Sequence, residues 1–186
     1  MELIPVKGTL HQSWTKENLI SASECDEFIE MIERRSSGEF HQETISSSGL
    51  ATRIWDRLEK ISDLHTTLDS AAPGYRLEGF SDLVVLAKTK EPIGIHKDTD
   101  IPMPPPLKCL HKALIYLNDL SDPVDPTDLQ GGTSFYNENR ELLITVKPGR
   151  GKLLIFDMKE WHSGNPAQQK VDTKYTLGLR LVYRPD

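Results

Sequence analysis

The chain has 186 residues and a mass of 21.0 kDa, with 37% hydrophobic and 27% charged residues; this size and balance suit one globular domain and exclude a disordered or fibrous chain. The formal net charge of −6, with no long basic run, disfavours a nucleic-acid partner, because neutralising phosphates takes clustered Lys and Arg. No apolar run reaches membrane-spanning length, and the first thirty residues carry no basic stretch ahead of an apolar core. The expected setting is therefore cytoplasmic or another soluble intracellular compartment. Cys25 and Cys109 lie in dissimilar surroundings and are expected to be unpaired thiols.

A first helix is predicted over 21–35: Ser21 or Ser23 can cap it, and Cys25, Phe28, Ile29 and Ile32 recur at helical spacing before Ser36-Ser37-Gly38 ends it. A second is predicted over 50–64, where Leu50, Ile54, Leu58 and Ile61 form an apolar stripe behind the lead-in Ser46-Ser47-Ser48-Gly49. From Leu83 the pattern changes to short β-rich runs at 83–89, 93–97, 113–118, 133–137, 142–147, 153–157 and 175–183. Helices followed by seven short strands with Gly and Pro turns imply a mainly β chain of α+β type. The expected core is a double-stranded β-helix, or jelly roll, buttressed by the N-terminal helices and able to hold a ligand between its two sheets. One domain is expected over 1–186, with a helical part at about 1–75 and the jelly-roll core at about 80–184. The connection 99–108, with Ile101-Pro102-Met103-Pro104-Pro105-Pro106, leaves directly from the strand that carries His96. It reads either as a lid over a site or as a stiff surface loop, whereas 121–130 reads as a surface loop.

Two of the runs end in residues with ligand chemistry. Residues i and i+2 of a strand share a face, so His96 and Asp98 can reach one metal ion while Lys97 points away. The run that starts at Leu153 leads to Trp161-His162, and 162 − 98 = 64 residues leave room for intervening strands. Two imidazoles and one carboxylate make the triad that holds non-haem Fe(II) with coordination positions open for chemistry. His11, His41, His65 and His111 lack such a partner pattern, His111 being the nearest competitor because of its closeness to the Tyr116 strand.

Further segments follow in a definite order: Leu114-Ile115-Tyr116-Leu117-Asn118-Asp119, Gly131-Gly132-Thr133-Ser134-Phe135-Tyr136, the stretch from Val146-Lys147-Pro148-Gly149 to Phe156, then His162, Pro166 and Lys174-Tyr175. With His96-Lys97-Asp98 they make the region from about 83 to 183 resemble the Fe(II)- and 2-oxoglutarate-dependent oxygenases, most closely their prolyl 4-hydroxylase-like branch. Leu19-Ile20-Ser21-Ala22-Ser23-Glu24-Cys25 resembles that family's entry into its first helix. Two departures stand out: Leu86-Ala87 occupies the place of a usual tyrosine, and Lys112-Ala113 that of a small polar residue.

The resemblance implies that His96, Asp98 and His162 bind Fe(II). It also implies that 2-oxoglutarate is the cosubstrate with O2, and it admits ascorbate as an additional cofactor. In the family a Lys or Arg followed by an aromatic residue answers the far carboxylate of 2-oxoglutarate, which designates Lys174; Lys170 competes, but it sits among polar residues. Tyr116 matches a tyrosine that donates to the same carboxylate. Alternation puts Thr176 and Arg180 on the face of Lys174, Thr176 as a second donor and Arg180 as a ligand of a substrate carboxylate, a holder of the cosubstrate or a member of a salt bridge. The implied activity is hydroxylation of an unactivated C–H bond, first of a prolyl residue in a peptide or protein. A free amino acid or other small molecule is the alternative, favoured if Arg180 faces the iron. A nucleic-acid dealkylase, a zinc hydrolase and a metal-binding jelly roll without turnover are the further rivals.

Overall fold

The structure, a computed structural model, describes residues 2–99, 102–120, 131–166 and 173–186. In chain order the elements are β1 (Ile4–Pro5), β2 (Ser13–Lys16), α1 (Ala22–Arg35), β3 (His41–Ser46), α2 (Ser48–Leu58), α3 (Leu64–Ala71), β4 (Tyr75–Phe80), β5 (Leu83–Thr89), β6 (Ile93–His96), β7 (Lys108–Tyr116), β8 (Thr133–Tyr136), β9 (Leu142–Val146), β10 (Leu153–Asp157), β11 (Trp161–Gly164) and β12 (Lys174–Pro185). The larger antiparallel sheet runs β1-β2-β10-β7-β12-β5-β3, with β4 also on β12, and the smaller runs β6-β11-β8-β9. This is the expected jelly roll, two sheets with helices against the larger one.

The larger sheet is buried on both faces, and strict alternation divides its side chains between two environments. Leu177, Leu179 and Leu181 of β12, Ala113 and Ile115 of β7, Leu153 and Ile155 of β10, and Val84 and Leu86 of β5 pack with Phe28, Ile32, Ile54, Leu58, Leu64 and Leu68 of the helices. Each such side chain contributes roughly 1.5–3 kcal/mol on burial. The opposite face supplies Tyr116, Leu154 and Phe156 to a second cluster with Phe135 and Val146 of the smaller sheet. Two-sided burial explains the nearly continuous apolar runs of β10 and β12.

The first helix lies where its pattern puts it, capped by Ser21, whose hydroxyl accepts from the Glu24 amide while the Glu24 carboxylate accepts from the Ser21 amide. Glu24 also takes Arg53 at 3.2 Å and Arg57 at 3.0 Å, tying α1 to α2. The second helix departs from expectation: it ends at Leu58, and Leu64–Ala71 is a separate helix. Between them the chain tightens into i to i+3 bonds, Ile61 N to Leu58 O and Leu64 N to Ile61 O, while the Asp63 carboxylate accepts from the Leu3 amide at 3.2 Å. The apolar stripe runs on through this break, which hides it from periodicity alone. Strands β1 to β3 lie within the segment expected to be helical, and β7 begins at Lys108 instead of Ala113. Gly151 closes the turn before β10 with φ +76°, where a Cβ would stand 2.4 Å from the Ile20 carbonyl oxygen. Both cysteines are buried and neither forms a disulfide among the described residues, and no helix of the described residues is long and apolar enough to cross a membrane.

Burial opposes the charge on Glu24, but bonds from Ser21, Arg57 and Arg53 outweigh it and take the carboxyl from its ordinary 4.5 down to about 2. Because the folded value is depressed, this contribution is complete above pH 4.5 and is lost as pH falls towards 2. Replacing Glu24 by Gln is expected to cost about 1–2 kcal/mol at pH 7. In urea unfolding curves the gap between wild type and variant should close between pH 5 and about pH 2. An unchanged gap across that range would show that the cluster does not act through the Glu24 charge.

Candidate metal centre

The smaller sheet brings the two histidines together by register: His96 at the end of β6 lies opposite His162 of β11, with ring centroids 4.3 Å apart. His96 Nδ1 is 2.8 Å from the Gly94 carbonyl and His162 Nδ1 is 3.0 Å from the Glu160 carbonyl. A carbonyl only accepts, so both Nδ1 atoms carry the proton and both Nε2 lone pairs are left for a ligand. Asp98 follows β6 and is pinned by its amide donating to the Met158 carbonyl at 3.2 Å. One donor atom from each of His96, Asp98 and His162 lies within 4.8 Å of the others. Lys97 points away, pairing with Glu138 and lying over Trp161.

The site is buried and electrically unusual. Asp98 Oδ1 accepts from Lys112 Nζ at 3.0 Å and from Arg180 Nη2 at 3.3 Å. Oδ2 is buried without a hydrogen-bond partner among the described residues, 3.7 Å from His162 Nε2. Burial raises the Asp98 pKa, but the charges of Lys112 and Arg180 outweigh it and hold the carboxyl below its usual range. Burial, reinforced by Lys112, lowers His162 to about 4, so the imidazole is neutral at pH 7. Two imidazoles with Nδ1 bound to carbonyls, an ionised carboxylate and an orphaned carboxylate oxygen suit a divalent cation.

A cavity of about 170 Å3 joins this cluster to β12 and is lined by Lys174, Thr176 and Arg180 together with the triad. Lys174 Nζ lies 5.5 Å from the Tyr116 ring centroid, and its nearest acceptor is the Gly132 carbonyl at 3.4 Å. Burial, with Lys112 adding to it, lowers Lys174 from 10.5 to about 7. Tyr116 is not on the cavity wall: its hydroxyl is 2.6 Å from Thr133 Oγ1, and Thr133 is the residue that faces the cavity. A larger cleft of about 830 Å3 lies between the start of α1 and α2. It is in the smaller cavity that ionisable groups converge out of solvent.

Sequence reasoning missed Lys112, although its alternation with Leu114 and Tyr116 on one strand would have turned it inward. Gly178, opposite Leu114 on β12, makes room for it: a Cβ there would be 3.7 Å from Lys112 Cε and 3.3 Å from Val85 Cβ. His111 is a core residue, 2.7 Å from the Tyr183 hydroxyl and edge-on to Trp14. His11, His41 and His65 stand outside the cluster. Of the proline-rich connection, Met103 and Leu107 pack on Cys109, Met158 and Val182. Asp100 and Ile101 lie outside the described residues, as do the loop 121–130 and Lys170.

No protein-family profile matches the chain, and no curated protein matches it in sequence. Solved structures do. A viral collagen prolyl hydroxylase from Paramecium Bursaria Chlorella virus-1, in complex with 2-oxoglutarate, superposes with a TM-score of 0.59 at 16% identity, over 92% of this chain and 95% of that one. A Pseudomonas putida prolyl-4-hydroxylase gives 0.59 at 17% over 92% of both chains. HygX from Streptomyces hygroscopicus, with nickel and 2-oxoglutarate bound, gives 0.57 at 14% over 93% and 82%. The chain therefore has the fold of these 2-oxoglutarate-dependent enzymes.

Removing Asp98 leaves two buried cations without their shared anion. Asp98→Ala is expected to destabilise the metal-free protein by about 3 kcal/mol, and adding Lys112→Met should return part of that loss. Urea unfolding of both variants in the presence of a chelator checks this; an Asp98→Ala protein as stable as wild type would contradict it.

Proposed function

We propose that this chain is an Fe(II)- and 2-oxoglutarate-dependent dioxygenase that hydroxylates an unactivated C–H bond. The observation that carries the reading is the convergence of two imidazoles and a partly unpartnered carboxylate with a buried lysine in one cavity. His96 Nε2, His162 Nε2 and the Asp98 carboxylate would hold the metal, and carbonyl bonds to both Nδ1 atoms fix the rings in that orientation. Lys174 would answer the far carboxylate of 2-oxoglutarate as a point charge, with Thr176 as a hydroxyl donor beside it. Tyr116 would act as the support under Lys174. When bound, iron and 2-oxoglutarate supply the chemistry, the coupling of cosubstrate decarboxylation to insertion of oxygen from O2. The protein contributes orientation and exclusion of water: Phe156 packs on the His162 ring at 4.7 Å, and Leu114 and Val85 line the same wall.

A prolyl residue in a peptide is the substrate suggested by the likeness to prolyl hydroxylases, one of them, from Trichoplax adhaerens, in complex with a peptide fragment. A small molecule is the second reading, favoured by Arg180, which meets Asp98 inside the cavity.

The test is succinate formation by protein purified without oxygen, reconstituted with Fe(II) and 2-oxoglutarate and then exposed to O2. Asp98→Ala and His162→Ala should abolish it, and activity retained by His162→Ala would remove that residue from the triad. Cosubstrate that binds without any succinate would favour the jelly roll without turnover. Lys174→Met should weaken 2-oxoglutarate binding about 10- to 100-fold. The dianion needs the protonated lysine, whose value in the free protein is about 7. Affinity should therefore hold below pH 7 and fall roughly tenfold per pH unit above it, a slope absent from Lys174→Met and readable by calorimetry.

A further inference from the structure

Asp98 is the only acidic residue among the described residues that line the cavity, and three cations line it with Asp98: Lys112, Lys174 and Arg180. Two of them share a single oxygen, Asp98 Oδ1. The side chain of Arg180 is 10% exposed, and its Nε and Nη1 are buried without hydrogen-bond partners among the described residues. One carboxylate needs one counter-charge, so the second cation is in excess before any ligand arrives.

Resting on the proposed metal and cosubstrate reading, the imbalance persists in the loaded site. A divalent metal and the doubly charged 2-oxoglutarate cancel one another, and three cations against one carboxylate still leave two positive charges in excess. The metal draws on Asp98 and the far carboxylate of 2-oxoglutarate answers Lys174. Lys112 and Arg180 then keep only a carboxylate that the metal has already claimed. Buried cations without an anion are costly, and a ligand that supplies one is favoured in proportion. A blocked prolyl peptide carries no such charge. Lys112 also stands where the resemblance expects a small polar residue, so this excess belongs to this chain.

We propose that Lys112 and Arg180 form an anion subsite beside the metal position, which takes the carboxylate of a small-molecule substrate and sets its reacting carbon towards the triad. Arg180 and Lys112 both line the cavity, and a carboxylate between them would gain charge-assisted hydrogen bonds from a guanidinium and an ammonium group.

The experiment uses acetate as probe. Protein loaded with Mn(II) and saturating 2-oxoglutarate, without oxygen, is titrated with 13C-labelled acetate, and paramagnetic broadening of the carboxylate resonance reports binding near the metal. Lys112 also touches Asp98, so the manganese occupancy of each variant is read by EPR and broadening is compared at equal occupancy. Expected are a saturable effect in wild type, a midpoint at least about tenfold higher in Lys112→Met, and recovery in Lys112→Arg. Manganese bound through His162, as judged by its loss in His162→Ala, combined with broadening that is not saturable or is unchanged in Lys112→Met, overturns the subsite alone. Manganese that fails to bind, or binds equally to His162→Ala, overturns the metal reading and the subsite with it.

Discussion

Hydrogen bonds to β7 on one side and to β5 on the other fix β12 so that Leu177, Leu179 and Leu181 enter the layer beneath the helices. Lys174, Thr176 and Arg180 then enter the space between the sheets. With a side-chain period of two, a slip of one residue would drive three polar groups into the aliphatic layer and three leucines into the cavity. The aliphatic face is the larger source of stability and selects the register. The polar face is carried along with it. The same logic governs β7, where Ala113 and Ile115 anchor the strand and Lys112 and Tyr116 follow.

The cavity therefore collects charge that the rest of the protein keeps in position. Burial works against each ionised group there, and it is the first cause of the shifts at Lys112, Lys174 and His162. Asp98 relieves this for Lys112 and Arg180 at contact distances of 3.0 and 3.3 Å. Among the described residues Lys174 forms no ion pair, and its company is a carbonyl and an aromatic face. A strained electrostatic arrangement held by a well-packed frame is common in sites built for ligands.

Much of this was readable in the residues. The triad was legible because its members end two apolar runs and obey strand alternation, and Lys174, Thr176 and Arg180 because they alternate along one strongly β-forming run. The break between α2 and α3 was not legible, since Leu50, Ile54, Leu58, Ile61, Leu64 and Leu68 keep helical spacing across it. At the break the chain tightens into i to i+3 bonds, and Asp63, just before α3, accepts from the amide of Leu3, remote in sequence. Strand β3, His-Gln-Glu-Thr-Ile-Ser, was hidden by its polarity: it lies at the sheet edge and is only half covered. Lys112 escaped notice because a lysine is ordinarily read as a surface residue, and only the position of its strand makes it an interior one.

Gly178 gives the cavity one more property. It interrupts the inward row of Lys174, Thr176 and Arg180 with a position that has no side chain, and the stem of Lys112 crosses the vacant space from the neighbouring strand. The stem that carries that ammonium group thus runs beside a residue that contributes no atom to the cavity lining chemistry. A Cβ gained at 178 would press on Val85 Cβ at 3.3 Å and come into ordinary contact with Lys112 Cε at 3.7 Å, so a larger side chain would compete with the lysine stem for that space. Within this fold, the charged lining of the cavity can be altered through packing at a silent position while His96, Asp98 and His162 stay as they are.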